Sequence, residues 1–189
     1  EKNNYRKKVT LPRPGHADLA GVMKFGFDDI RDVIERSSAR ETAMRVAISS
    51  ICRKMLEDLG IELCSRVVQI YNIEDNTPID FSQSLAHTNQ LIDKSDVRCL
   101  DKNIEKKMIK AIDKAKKNGD SVGGIIKIYC TGLPFGLGSY TQWDKKLQSK
   151  ISESLLSINA FKGIEFGMGF DAARNLGSRV HDEIKIDNK

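Results

Sequence analysis

Two short stretches carry residue types at spacings that chemistry could use. In Arg13-Pro14-Gly15-His16-Ala17-Asp18 a histidine, able to exchange protons near neutral pH, stands beside an arginine and an aspartate. Pro12 and Pro14 bracket Arg13 and stiffen this backbone into an extended run that turns at Gly15. In Glu35-Arg36-Ser37-Ser38-Ala39-Arg40-Glu41 the Ser38 to Glu41 spacing is that of a capping box, so a helix starts there with free amides facing what precedes it. A hydroxyl and guanidinium groups at such a start make a polyanion pocket, because arginine forks onto phosphate or carboxylate. The same residues also allow a structural reading, in which Arg36 and Arg40 pair with Asp32, Glu35 and Glu41 and the loop histidine is simply solvated.

A third stretch, Gly132-Leu133-Pro134-Phe135-Gly136-Leu137-Gly138-Ser139, exposes backbone amides that could cradle an oxyanion. Its spacing is neither that of a P-loop nor that of a dinucleotide fingerprint, which leaves a tight turn and a ligand loop both open. His87 lies in an ambiguous segment and His181 near the end of the sequence, and neither indicates a site.

The elements that must position these residues follow from periodicity. Ile30, Val33 and Ile34 recur at helical spacing after Asp28, and Ala43, Val46, Ala47, Ile51 and Met55 continue a second helical face to Gly60. Residues 61–73 are rich in β-branched side chains and read as a strand, and 81–92 as a short helix. Residues 103–117 are amphipathic, with Ile104, Met108, Ile112 and Ala115 on one face and lysines on the other. Residues 122–130 alternate as a half-buried strand, and Asp144 opens a helix with Leu147, Ile151, Leu155 and Ile158 inside. Ile164, Phe166, Met168 and Phe170 have the period of a strand, and 171–175 is a short helix. Mixed strands and helices without a βαβ fingerprint fit α+β as well as α/β.

The 189 residues suit one domain core. Charged residues make up 30% and mean hydropathy is −0.40, which argues against a membrane protein. The net charge of +5 is concentrated. Lys2, Arg6, Lys7 and Lys8 against Glu1 give +3, and residues 101–118 give +4, leaving −2 for the rest. A groove for nucleic acid needs cations gathered on one surface with aromatics between them, so no nucleic-acid partner is expected. Cys52, Cys64, Cys99 and Cys130 have no CxxC spacing, so neither a metal site nor a disulfide framework is indicated, and reduced, buried thiols in a cytoplasmic protein are expected.

Six blocks in this order and spacing resemble chorismate synthase. They are Arg13-Pro-Gly-His16-Ala-Asp-Leu19, the run from Asp29 through Ser38-Ala39-Arg40 to Ala43, Gly119-Asp-Ser-Val-Gly-Gly124, the glycine loop 132–139, Ser157-Ile-Asn159-Ala160-Phe-Lys-Gly163, and Gly177-Ser-Arg-Val-His-Asp-Glu183. The resemblance runs from about residue 12 to 183 and implies a phosphate lyase of the shikimate pathway. Such an enzyme converts 5-enolpyruvylshikimate 3-phosphate to chorismate and phosphate by 1,4-anti elimination with reduced FMN, NADPH being a conceivable reductant. It implies that His16 is catalytic against the reduced flavin. Arg13, Ser38 and Arg40 would bind the phosphorylated substrate, and Ala39, Asn159 and Ala160 would touch the flavin.

The implied fold is α+β, a partial β-α-β sandwich with a helical core flanked by antiparallel β-sheets, in a cytoplasmic homotetramer. The family's Phe-Gly-Glu-Ser-His-Gly block, with its second catalytic histidine, has no counterpart in residues 1–11, which read as disordered or extended. The Asn-Asn-Ala-Gly-Gly, Lys-Pro and Arg-x-Asp segments are likewise unmatched. Residues 1–189 are thus expected to be the central portion of a single chorismate synthase domain, inactive alone. Two other readings stand beside it: another FMN- or phosphate-binding enzyme on the same scaffold, and a basic interaction module using the lysines of 106–117.

Overall fold

A computed structural model describes residues 7–184 and Ile186. Its elements in chain order are α1 (Asp18–Phe25), α2 (Arg31–Ser37), α3 (Ala39–Asp58), β1 (Glu62–Ile70), β2 (Ile73–Glu74), α4 (Leu85–Ile92), α5 (Lys102–Lys117), β3 (Gly124–Thr131) and α6 (Leu147–Leu156), with 3-10 turns at Trp143–Lys145, Gly169–Arg174 and Gly177–Arg179. The fold is α+β with an antiparallel sheet, as the family resemblance implied and as the residue pattern alone left open. Two compact units divide the chain: residues up to Ala47 with those from Gly136 onward, and Ile48–Phe135. Of the amino-terminal run expected to be disordered or extended, residues 1–6 lie outside the described residues. Farther on, the Val9 amide donates to Asp29 Oδ1 at 3.2 Å and the Val9 carbonyl accepts from the Ile30 amide at 2.9 Å.

In the unit Ile48–Phe135 the sheet order is β2-β1-β3. The run 61–73 is not one strand, because Tyr71 takes a left-handed φ of 55° and turns the chain into the short β1–β2 hairpin. β1 pairs with β3 from Glu62↔Thr131 to Ile70↔Gly124, with an irregularity between Val67 and Gln69. Cys64 on β1 packs with Leu85 and Ile92 of α4, and Ile79, Leu100 and Tyr129 close around them. α5 begins one residue earlier than its periodicity suggests, since Asp101 caps it by accepting from the Asn103 and Ile104 amides. Met108 is fully buried, while the lysines stay on the solvent side.

Gly132 shows why the glycine loop starts with glycine: it has φ +75°, and a Cβ there would sit 2.0 Å from the Gly60 carbonyl oxygen. That favours a turn at this end of the loop. The thiols depart from expectation, as Cys64 and Cys99 are buried but Cys52 and Cys130 are exposed.

In the other unit α1 and α2 pack together, and Gly21 faces Val33 so closely that a Cβ would lie 2.5 Å from Val33 Cγ1. α1 has no counterpart in the periodicity, because Asp18 and Gly21 stand on its inner side where apolar residues would mark a core. The expected strand at 164–170 does not form. Gly167 and Gly169 take left-handed φ values of 60° and 55°, and the segment winds into the 3-10 turn Gly169–Arg174 with Phe166, Met168 and Phe170 exposed.

Candidate active site

The site residues that the resemblance implies, Arg13, His16, Ser38, Ala39, Arg40, Asn159 and Ala160, lie in the unit formed by residues up to Ala47 and from Gly136 onward, whereas His87, the lysines of 106–117 and the first half of the glycine loop lie in the other. The bend carrying His16 closes on itself. The Arg13 amide and Nε each donate to Asp18 Oδ2 at 2.9 Å, and Arg13 Nη2 donates to Asp18 Oδ1 at 2.9 Å. Gly15 takes φ +70° at the turn, and the His16 amide returns to the Arg13 carbonyl at 3.4 Å. His16 Nδ1 lies 2.9 Å from the Pro14 carbonyl oxygen. A carbonyl only accepts, so Nδ1 carries the hydrogen and Nε2 of the neutral ring keeps its lone pair.

Asp18, the first residue of α1, has a side chain with no exposed surface. The Arg13 guanidinium and then the Arg13 amide bring its carboxyl down to about 2, against the opposing effect of desolvation and with the help of the Arg13 charge. Arg13 is therefore half committed: Asp18 occupies one edge of its fork, and the Nη1 edge remains for an anion.

Ser38 sits between α2 and α3 in extended backbone, with φ −124°. The capping box is only partly made. Ser38 Oγ accepts from the Arg40 amide at 3.4 Å and the Ser38 carbonyl from the Glu41 amide at 3.1 Å, while the Glu41 carboxylate turns forward to Arg45 Nε at 3.0 Å. Arg40 pairs with Glu35 on the exposed surface, which is the structural alternative for that residue. An anion arriving at the start of α3 would therefore compete with a carboxylate for Arg40.

The structure joins two blocks that the sequence separates by more than a hundred residues. Asn159 Nδ2 donates to the Ser38 carbonyl at 3.2 Å and to the Arg36 carbonyl at 3.4 Å. Arg45 Nη1 donates to Ser157 Oγ at 2.7 Å. Ala160, next to Asn159, is held at φ +73°, unusual for a residue with a Cβ. Asn159 thus meets Ser38, with Ala160 and Ala39 as their neighbours in the chain, whereas His16 and Arg13 lie on the segment that leads into α1, which packs on α2. The sequence analysis names Asp18 in the His16 stretch without giving it a role and does not name Arg45; an arginine and an aspartate five apart across Pro and Gly was the available signal for the Arg13–Asp18 pair.

A hollow of about 610 Å³ lies in the unit Ile48–Phe135, lined by Ile70, Ile112, Lys116, Asp120 and Ile126 among others. It holds none of these site residues and is mainly aliphatic. Among the described residues no group of three or more His, Cys, Asp and Glu side chains is placed to hold a metal ion, and no helix is long and apolar enough to cross a membrane.

The donor set suits an anionic ligand: a hydroxyl and amides at the start of α3, one arginine edge, and an imidazole of fixed tautomer. For the flavin that the resemblance implies, the exposed His16 imidazole, with Nδ1 held by the Pro14 carbonyl, is of a kind that would fit beside an electron-rich ring.

Comparison with known proteins identifies the family. The family model for chorismate synthase matches residues 1–189. Chorismate synthase of Listeria welshimeri is 54% identical over 184 residues, covering 97% of this chain and 47% of the relative. Those of Alkaliphilus metalliredigens and Caldicellulosiruptor bescii are 52% and 50% identical over 178 and 183 residues, covering 94% and 97% of this chain and 46% and 48% of theirs. A crystal structure of chorismate synthase superposes with a TM-score of 0.82 at 39% identity, covering 90% of this chain and 53% of that one. The chain spans about half the length of the relatives it matches. With a matching family model over every residue, close relatives and a shared α+β fold, the chain belongs to the chorismate synthase family.

Proposed function

We propose that the protein containing these residues converts 5-enolpyruvylshikimate 3-phosphate to chorismate and phosphate by 1,4-anti elimination with reduced FMN. The observation that carries this reading is the His16 bend, whose imidazole is exposed and has Nδ1 committed to the Pro14 carbonyl. Nε2 is then free to take or return a proton at one defined atom, which is the task of a catalytic histidine beside a flavin. The bound reduced flavin supplies the electron-rich ring on which loss of the ring hydrogen and the phosphate depends.

The chain's own residues do the rest. Arg13, through its Nη1 edge, and Arg40, after leaving Glu35, neutralise the substrate's anionic groups, and Ser38 adds a hydroxyl to the phosphate. Ala39, Asn159 and Ala160 line the flavin side of the same surface, held there by the Asn159 bonds to the α2–α3 junction. The same reading carries a cytoplasmic homotetramer with NADPH as a conceivable reductant and no nucleic-acid or membrane partner.

In the full-length protein, His16→Ala is expected to lower kcat by about 10²- to 10⁴-fold while folding and flavin binding survive. Arg40→Ala is expected to raise KM for the phosphorylated substrate. Unchanged turnover in His16→Ala would remove the assigned role. The 189 residues alone, supplied with FMN and a reductant, are expected to form no chorismate, since residues that act as a unit fail when some are missing. Turnover by the isolated chain would contradict that.

A further inference from the structure

We infer that Asp18 is the positioning residue of this site: by gripping Arg13 across residues 14–17 it holds the bend in which His16 presents Nε2 as an acceptor. The inference deepens the function proposed for the bend and rests on that reading.

A carboxylate at the first position of a helix needs only solvent and the helix dipole. Asp18 is instead wholly buried, which is costly unless its lone pairs are met. Three donors meet them, all from Arg13: the backbone amide, Nε and Nη2, each at 2.9 Å. A residue fastened by both backbone and side chain cannot swing, so the two ends of the 13–18 segment are fixed relative to each other. The Pro14 carbonyl inside that ring is the group that sets the His16 tautomer. A free histidine in water favours the opposite tautomer, with the hydrogen on Nε2, so the bend imposes a state the ring would otherwise populate less. The same grip fixes the direction of the Nη1 edge that Arg13 offers outward. Asp18 touches neither ligand in this account and acts through Arg13 and His16.

The test is Asp18→Asn in the whole protein, which keeps the volume but sets an amide N–H₂ against the donors of Arg13. Long-range ¹⁵N–¹H spectra, with His16 identified by the signal lost in His16→Gln, are expected to show hydrogen on Nδ1 in the parent and a shift toward Nε2 in the variant. In parallel, kcat is expected to fall by about 10- to 100-fold, the range seen when an outer-shell orienting partner is lost, with little change in KM. Should Asp18→Asn fail to fold, Arg13→Gln removes the fork while leaving Asp18 to start α1, and the same change of tautomer is expected. A His16 that keeps its Nδ1 hydrogen in whichever variant folds overturns the inference. A tautomer that shifts while His16→Ala leaves turnover untouched upholds the role of Asp18 and removes the proposed chemistry instead.

Discussion

The unit that carries the candidate site and the unit Ile48–Phe135 are held together differently. In the latter, Ile61, Cys64, Val68, Leu85, Ile92, Cys99 and Met108 are buried; in the former, among the described residues, Ile30 and Val33 are the buried apolar side chains. The site-bearing unit leans on directed polar contacts: Arg13 to Asp18, Asn159 to Ser38, and Arg45 to Ser157. Hydrophobic packing tolerates small slips, whereas a hydrogen bond fixes an atom to within a few tenths of an ångström. The contrast teaches that one unit has an extended apolar core and the other, which carries the candidate groups, has almost none, so mutations in the two should separate stability from geometry.

The largest effect on stability belongs to the buried pair in Ile48–Phe135. Arg66 and Asp75 are almost wholly enclosed, with Arg66 Nη1 donating to Asp75 Oδ2 at 3.3 Å and the Leu100 amide to the same oxygen at 2.7 Å. Asp75→Ala strands the guanidinium and is expected to cost about 3–5 kcal/mol, read as a lower urea midpoint. The pH dependence follows from the same contacts. Desolvation pushes the Asp75 carboxyl up, but hydrogen bonds from Thr77, Leu100 and Asp101 outweigh it and leave it below the usual range. Its stabilisation is therefore fully present above an unfolded carboxylate value of about 3.9 and is lost as pH falls through the lower folded value. Asp75→Asn should flatten the acid limb of stability in that window; an unchanged limb would mean that other carboxylates govern it.

How far the sequence discloses each unit follows the same division. α5 was legible because its apolar residues recur at helical spacing against a core that exists, as Met108 shows, whereas the run 81–92 that holds α4 was ambiguous, its buried face mixing Leu85 and Ile92 with Thr88 and Asn89. β1 and β3 were legible as β-branched runs, but the turn at Tyr71 was not, since nothing in tyrosine signals φ +55°. In the site-bearing unit periodicity misled. Phe166, Met168 and Phe170 alternate like a strand, yet a strand needs partners for its amides, and two left-handed glycines bend this one away. α1 was invisible for the converse reason: its inner side holds Asp18 and Gly21 in place of apolar residues. The candidate site residues were named by motif. Their pairing was not, because no local rule tells that Asn159 meets Ser38 across so much intervening chain.

The α1–α2 contact is the next place to press. Gly21→Ala would put its methyl group 2.5 Å from Val33 Cγ1, and a β-branched side chain has few rotamers into which to retreat. Overpacking of this kind is expected to cost about 1–3 kcal/mol. Gly21→Ala combined with Val33→Ala removes the clash, so the double variant should recover part of that loss in thermal unfolding. If the contact does carry the His16 bend toward Ser38, Gly21→Ala should also depress kcat in the full-length protein more than Leu85→Ala, which lies in the other unit. Equal effects on kcat would dissolve the distinction between the units.

The smallest effects lie at Asn159 and Ala160, and they should have opposite signs. The Asn159 bonds, at 3.2 and 3.4 Å, are long, and the residue is partly open to solvent. Water can replace them at little cost, so Asn159→Ala is expected to lose about 1 kcal/mol or less. Ala160 holds a left-handed φ at a cost of about 1–2 kcal/mol that glycine does not incur, while glycine adds about 0.5–1 kcal/mol of backbone entropy to the unfolded chain. Ala160→Gly should therefore be neutral to slightly stabilising. Native-state hydrogen exchange at the Arg40 and Glu41 amides separates the two cases: Asn159→Ala should speed exchange at the start of α3, and Ala160→Gly should leave it unchanged. Faster exchange in both would mean that the left-handed turn, and not the amide side chain, secures this block against the helix.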